Sequence, residues 1–236
     1  MTVFYLHDPL IFPDPMYSDP IGLLAIGGDL STSRLIEAYK RGIFPWYTDE
    51  TPILWWSPDP RPILEPRRLH IPRSLRRVLN QNRYTVTIDQ DFPAVIRECA
   101  SRRKDGTWLV PEMIEAYENL HHRGAAHSVE AWTPDGELAG GVYGVSLGRA
   151  FFGESMFYRR PDASKVAFVH LVRQLEKWNF HFLDCQQMSG LMHRFGAIEI
   201  PRTTFLLRLQ KAISAAPLLD WPLGTESSEG LNPLVN

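Results

Sequence analysis

The sequence predicts an α/β (α+β) chain in which a small N-terminal module precedes a larger domain built on a mixed, mainly antiparallel sheet. Three observations carry this reading. Residues 1–75 are rich in Pro and aromatics and hold one short helix pattern. From about residue 84 regular strand-like and helix-like segments take over. Two strand-like runs flank Thr133-Pro134-Asp135-Gly136, a composition suited to a reversing turn. At 236 residues the chain can bury one substantial core plus a companion module. The expected division is 1–75, 76–214 and a mobile tail over 215–236, the tail resting on Glu226-Ser227-Ser228-Glu229-Gly230.

The elements follow in order. Within the N-terminal module, Ser31 to Ser33 can cap a helix, Leu35, Ile36 and Tyr39 recur at helical spacing, and Gly42 can end it. Residues 84–88 alternate like a strand, and Phe92, Val95, Ile96 and Cys99 then mark one face of a helix. Pro111 suits a first helical position, and Met113, Ile114, Tyr117 and Leu120 form a stripe that Gly124 can terminate. A hairpin over 127–132 and 138–145 is followed by a third strand at 149–153. A long helix over 163–178 carries Val166, Phe168, Val169, Val172 and Leu175 inward. A strand at 180–186 and helices at 188–195 and 203–213 complete the chain. This order is that of an acyl-CoA N-acyltransferase-like (GNAT-like) domain, an analogy of pattern that gives no function by itself.

Hydrophobic residues at 44% and charged residues at 22% exclude wholesale disorder. The first residues lack a basic stretch followed by an apolar run, and no apolar run approaches 18 residues, so the expectation is a cytoplasmic protein, neither secreted nor membrane-spanning. Cys99 and Cys185 form no CxxC pair and the eight histidines show no metal-binding spacing, so neither a metal nor a cofactor is expected. Lys plus Arg minus Asp plus Glu is 25 − 27 = −2, so a polyanionic partner has to be held by a local patch. Between positions 61 and 83 stand seven arginines, Arg61, Arg67, Arg68, Arg73, Arg76, Arg77 and Arg83, against the single acid Glu65, with Arg102-Arg103-Lys104 beyond. The run also fits a solvated helix face, since Arg73, Arg76 and Arg77 share helical spacing.

Tryptophans interleaved with arginines suit unpaired nucleotides, which offer a face to stack on and a phosphate to pair. Trp55 and Trp56 are read as packing, Trp46 and Trp108, in loop-like sequence, as functional. Asp184 and Gln186 stand two apart on an expected strand, so both project from one face and Cys185 from the other. The pair can orient an amine, or the carboxylate can cap the following helix, and spacing alone leaves both open. Glu154, among apolar neighbours at the end of a strand, needs a partner or a task. Cys185 with His193 is set aside as a nucleophile pair because nothing marks His193 as its base.

Six segments together resemble the leucyl/phenylalanyl-tRNA protein transferases. They are Gly22-Leu23-Leu24-Ala25-Ile26-Gly27-Gly28-Asp29-Leu30, Arg41-Gly42-Ile43-Phe44-Pro45-Trp46, Leu54-Trp55-Trp56-Ser57-Pro58-Asp59-Pro60-Arg61, Gly106-Thr107-Trp108, Gly153-Glu154-Ser155-Met156-Phe157 and Asp184-Cys185-Gln186. They keep that family's order and spacing over about residues 20–205. The resemblance implies a cytoplasmic enzyme, monomeric and without a cofactor, that moves Leu or Phe, with Met as a further candidate, from its tRNA to proteins starting with Arg or Lys. Such proteins are thereby marked for N-degron degradation. By position it implies that Trp46 and Trp108 hold the terminal adenosine, that Glu154 and Asp184 receive the basic N-terminal residue, and that Asp184 and Gln186 are catalytic. It also implies that Val142, Phe151, Met156 and Leu183 line the amino-acid pocket, while Arg67, Arg68, Arg73, Arg76 and Arg77 are the candidates for the tRNA body.

An aminoacyl ester is already activated, so peptide-bond formation needs positioning rather than ATP or a covalent intermediate. Gln186, a neutral amide, would orient the attacking amine, with Asp184 polarising that contact. The rival enzyme reading is an acyl-CoA-dependent N-acyltransferase, which lacks its usual Gly-rich turn in the stretch from Tyr158 to Lys165. A non-catalytic RNA-binding module would explain the tryptophans and arginines and leave the acids unexplained.

Overall fold

The computed structural model describes residues 3–7, 10–101, 109–215 and 221. Trp108, the Arg102-Arg103-Lys104 run and the tail apart from Ala215 and Trp221 lie outside the described residues.

The N-terminal region forms a four-stranded sheet from β1 (Phe4–Leu6), β2 (Leu23–Gly27), β3 (Phe44–Pro45) and β4 (Leu54–Trp56), in the order β1-β2-β4-β3. Its helix α1 (Thr32–Lys40) is capped as expected, the Ser31 hydroxyl accepting from the Arg34 amide at 3.4 Å. The larger sheet has seven strands: β5 (Arg61–Leu64), β6 (Thr85–Ile88), β7 (Ala126–Trp132), β8 (Leu138–Leu147), β9 (Ala150–Tyr158), β10 (Phe182–Asp184) and β11 (Ile198–Ile200). They run in the order β11-β5-β10-β9-β8-β7-β6, and every adjacent pair is antiparallel except β9 with β10. The sheet is therefore mixed and mainly antiparallel.

Helices cover both faces. Against one face lie α3 (Phe92–Ser101), α4 (Pro111–His122), α7 (Arg202–Ile213) and α1, around Tyr117, Tyr143, Phe152, Phe182 and Phe205. Against the other lie α2 (Arg73–Asn80), α5 (Ala163–Lys177) and the short α6 (Gly190–Arg194), around Val142, Phe151, Val169 and Leu183. The first of these cores is continuous with Leu24, Phe44 and Trp55 of the N-terminal sheet and Tyr39 of α1, so the two sheets share one hydrophobic interior. β5, which falls within residues 1–75, pairs with β10 and β11 of the large sheet. Trp221 stacks on His127 at 3.9 Å between centroids and meets Phe151, Trp178 and Phe180, so this residue of the expected tail is packed.

Three elements differ from the periodicity reading, and each difference has a local cause. β11 is a three-residue edge strand, too short to show alternation. β10 stops at Asp184 because Gln186 adopts φ 58°, the left-handed region that a non-glycine residue seldom takes. β9 continues five residues beyond 153, so Glu154 is inside a strand and not at its end.

The register explains what Glu154 does there. Gly144 pairs Gly153 and Tyr143 pairs Ser155, which leaves Glu154 as the extra residue of a β-bulge. The bulge reverses the alternation along β9. Phe151 and Met156 end on the α5 face although five residues apart, and Phe152 and Phe157 end on the other. Gly144 permits this approach: a Cβ there would lie 2.1 Å from the Phe152 carbonyl oxygen and 2.5 Å from the Phe151 ring. The parallel pairing of β9 with β10 ends at Phe152 and Asp184, and beyond it the two chains diverge. Among the described residues no helix is long and apolar enough to cross a membrane.

Gly144→Ala should lose about 1–3 kcal/mol of stability, the usual penalty for overpacking. A lower denaturant midpoint at unchanged slope would register it, whereas an unchanged midpoint would mean the strands can part without cost.

Candidate active site between diverging strands

Arg61 is the first residue of an apolar strand and is 1% exposed. It cannot remain there unpaired. Its Nε donates to Asp184 Oδ1 at 2.9 Å and its Nη2 to Oδ2 at 2.7 Å, a bidentate pair linking β5 to β10. Its Nη1 donates to the Gly42 carbonyl at 3.2 Å, and the guanidinium stacks between the rings of Phe44 and Phe205, 4.8 and 4.6 Å from their centroids. This overturns one expectation: Arg61 does not belong to a surface basic patch. It also alters the reading of Asp184, which is 0% exposed with both oxygens engaged. A guest could reach that carboxylate only by displacing Arg61.

Asp184 instead holds Gln186. Its Oδ1 also accepts the Gln186 backbone amide at 2.9 Å, which fixes the left-handed turn that ends the strand. The Gln186 side chain then reaches across the gap, and Nε2 donates to Glu154 Oε1 at 2.7 Å. The strand alternation expected to bring Asp184 and Gln186 to one face does not apply, because Gln186 lies in this turn, beyond the end of β10.

Glu154 accepts two more hydrogen bonds, from the hydroxyls of Tyr39 at 2.7 Å and Tyr117 at 3.0 Å. Those hydroxyls lie 2.5 Å from each other. Burial lifts the Glu154 carboxyl to about 7, against the pull of its three donors and with a further upward push from Asp184. Burial and the neighbouring carboxylate drive both tyrosine hydroxyls well above their ordinary value, so they act as donors. Sequence reasoning had both tyrosines as helix-stripe residues and missed this role. The available signal was chemical: a core-facing Tyr carries a hydroxyl that requires a partner.

The divergence of β9 and β10 opens a cleft of about 130 Å³, lined by Phe44, Trp46, Gly153, Glu154, Cys185 and Gln186. The structure thus brings Trp46, Glu154 and Gln186 together from three distant segments. Trp46 is 36% exposed at the rim and leans on Trp56, whose Nε1 donates to the Trp46 carbonyl at 2.6 Å. Trp55 is fully buried, its Nε1 held by the Gly27 carbonyl at 2.8 Å. Tyr47, next to Trp46, donates to Glu112 in the first turn of α4. Trp108 falls outside the described residues.

Val142, Phe151 and Leu183 are buried in one cluster with Met156 packed against it, on the α5 face. Val142 pairs Met156 and Phe151 pairs Leu183 in adjacent strands. Arg67, Arg68, Arg73, Arg76 and Arg77 are exposed, on the turn after β5 and on α2. Burial, and Asp184 beside it, raise the Cys185 thiol above its ordinary range, which disfavours the thiolate. Among the described residues no His, Cys, Asp and Glu cluster suits a metal.

Two family models match the chain. One, described as leucyl/phenylalanyl-tRNA protein transferase, covers residues 63–210, and the other, the N-terminal domain of the same family, covers residues 28–59. Proteins named leucyl/phenylalanyl-tRNA–protein transferase are similar over nearly the whole length. That of Solidesulfovibrio magneticus is 58% identical over 90% of this chain and 87% of its own. That of Anaeromyxobacter sp. strain Fw109-5 is 57% identical over 92% and 94%, and that of Thermodesulfovibrio yellowstonii 56% over 92% and 90%. These names support transfer from tRNA and not the acyl-CoA alternative. The solved L-PGS of Bacillus licheniformis, at 10% identity and a TM-score of 0.44 over 83% of this chain and 72% of that one, is too remote to carry an argument.

Arg61→Met should cost about 3–5 kcal/mol, because it strands a buried carboxylate, and the double change with Asp184→Leu should recover much of it. Denaturant unfolding of the three proteins tests this. Glu154 should titrate near 7 in a carboxyl NMR experiment, and higher in Tyr117→Phe, which removes a donor to the carboxylate. Because the folded protein holds this proton above the ordinary 4.5, Glu154 should contribute a fall in stability as pH rises from about 4.5 to 7.

Proposed function

The chain belongs to the leucyl/phenylalanyl-tRNA protein transferase family, a family of aminoacyltransferases, and from that premise we propose that the cleft between β9 and β10 joins Leu or Phe from aminoacyl-tRNA to the α-amine of proteins beginning with Arg or Lys. The observation that carries this reading is Glu154, a carboxylate at an open cleft, bonded to the amide of Gln186 and sharing its walls with Trp46.

Glu154 is the group suited to a basic N-terminal side chain. A guanidinium or ammonium beside it favours the ionised form, and Tyr39 and Tyr117 hold that form in place. A neutral side chain would leave the carboxylate without its counter-charge. Asp184 acts one step back, orienting Gln186 through its backbone while Arg61 absorbs its charge. With Nε2 directed to Glu154, the Gln186 carbonyl oxygen is the atom left to accept from an attacking amine.

An α-amine has a pKa of about 7.7–8.0, so a useful fraction is neutral near pH 7. Its nitrogen attacks the ester carbonyl and forms the new C–N bond. The tetrahedral adduct gives up the amine proton as the C–O bond to the ribose breaks, and the leaving ribose oxygen takes up that proton. Gln186 positions this exchange and needs no charge of its own.

Trp46 at the rim offers a face for the terminal adenine, with Trp108 as its expected counterpart. The cluster of Val142, Phe151, Met156 and Leu183 provides the apolar surroundings for a Leu or Phe side chain, Met156 being its partly exposed member. The parallel pair that separates beyond Phe152 and Asp184 supports the GNAT-like description of the large sheet. A monomer in the cytoplasm, labelling proteins for degradation, completes the reading.

Radiolabelled Leu-tRNA and Phe-tRNA offered with Arg-, Lys- and Ala-initiated peptides test it: label should pass to the first two. Equal transfer to Arg- and Ala-initiated peptides would refute the assignment of Glu154. Gln186→Ala should lower turnover on the order of 10²-fold with little change in tRNA affinity, and an unchanged rate would sink the role given to it.

A further inference from the structure

The tail residue Trp221 is anchored where the transfer chemistry gives it no part. It is 7% exposed and belongs to the same buried cluster as Val142, Phe151 and Leu183. Its indole lies flat on the His127 imidazole, with 3.9 Å between centroids and 7° between planes. That imidazole is itself fixed at both edges: Nδ1 lies 2.7 Å from Asp89 Oδ2, and Nε2 lies 3.1 Å from the Gly124 carbonyl oxygen. Trp178, just past α5, meets the indole edge-on at 4.8 Å, and Phe180, two residues before β10, does so at 6.3 Å. The indole is thus held by rings from β7, from β9, from the end of α5 and from the approach to β10, which makes it a packed wall.

Its place along the strands gives that wall a meaning. The cleft that holds Glu154 and Gln186 lies beyond the C-terminal end of β10, whereas Trp178, Phe180 and Trp221 gather before its N-terminal end. β9 and β10 run parallel, so Phe151, the second residue of β9, stands toward the Phe180 end and Met156 toward the cleft end. A side chain entering this cluster from the cleft reaches Phe151 at the inner end, and Trp221 stands behind Phe151, 5.8 Å away between centroids. Phe151 has little other freedom. A Cβ on Gly144 would lie 2.5 Å from the Phe151 ring, so the ring already rests on the sheet, and Leu183 pairs with it in β10 while α5 packs above. The direction in which it can yield is toward the indole.

We propose that Trp221 is a specificity-determining residue: it backs Phe151 and so sets the depth of the pocket that receives the Leu or Phe side chain. The inference rests on the pocket reading above, in which Val142, Phe151, Met156 and Leu183 surround that side chain. Trp221 acts through Phe151 and is a positioning residue, remote from the ester and the amine. Without the indole, Phe151 swings back into the vacated volume and the pocket lengthens. A longer pocket favours the phenyl group and leaves a void behind a Leu side chain.

The test measures kcat/KM for transfer of radiolabelled Leu and of radiolabelled Phe, each from its tRNA, to one Arg-initiated peptide. The full-length wild type is compared with Trp221→Ala, Trp221→Leu, Trp221→Phe and Phe151→Leu. Loss of folded protein lowers both rates alike and cancels in their ratio, so the ratio separates specificity from stability. Trp221→Ala, and Trp221→Leu as the version that keeps part of the packing, should move the ratio toward Phe by on the order of 10-fold. Trp221→Phe, which keeps an aromatic wall, should retain most of the wild-type preference. A ratio unchanged in both truncations, or shifted toward Leu, would overturn the proposal, as would an equal shift in Trp221→Phe. If Phe151→Leu moves the ratio and the Trp221 truncations do not, the pocket reading stands and this inference fails. If none of them moves it, the side chain is held elsewhere and both fail.

Discussion

The pairing of Arg61 with Asp184 is the interaction on which the rest of the site depends. It lies where β5, β10, α7 and the N-terminal sheet meet, and through Gly42 and Phe44 it ties the smaller region to the larger. A buried ion pair of this kind contributes little net stability compared with an apolar packing of the same volume. What it supplies is definition. One carboxylate oxygen is left in reach of the Gln186 amide, and this sets the turn that sends the Gln186 side chain across the gap to Glu154.

The site is then a chain of polar contacts without a break: Arg61, Asp184, Gln186, Glu154 and the two tyrosines. Each member comes from a different element or a different strand position. Cooperative networks of this kind are rigid when every member is satisfied and costly when one is not. Here one member, Glu154, is poised with its carboxyl near 7, so it can change its charge state when a cation arrives.

Much of the architecture was legible in the sequence because it rests on local rules. The Ser31 cap, the stripe of Met113, Tyr117 and Leu120, and the Thr133 to Gly136 turn each declared their element. The motif segments likewise pointed to Trp46, Glu154, Asp184 and Gln186. What the sequence concealed was tertiary. This bulge is accommodated by a glycine on the opposing strand, so Gly144 and Glu154 had to be read together, ten residues apart. The left-handed turn at Gln186 follows from a carboxylate hydrogen bond and defeats a period of two. Arg61 looked like one cation among seven, and only its burial distinguishes it. No pattern within α1 or α4 could show that Tyr39 and Tyr117 converge on one carboxylate.

That convergence bears on how the gene can vary. The family is described by two separate segments, residues 28–59 and 63–210, which invites the idea that they could be exchanged or encoded apart. Tyr39 comes from the first segment and Glu154 and Asp184 from the second, and Gly42 and Phe44 of the first close around Arg61, which lies between the two and pairs with Asp184. A hybrid assembled from distant relatives would therefore have to preserve a phenol, a carbonyl and an aromatic face in register with a carboxylate and a guanidinium. The two segments are constrained to vary together, because neither contains the whole polar network around Glu154 and Arg61.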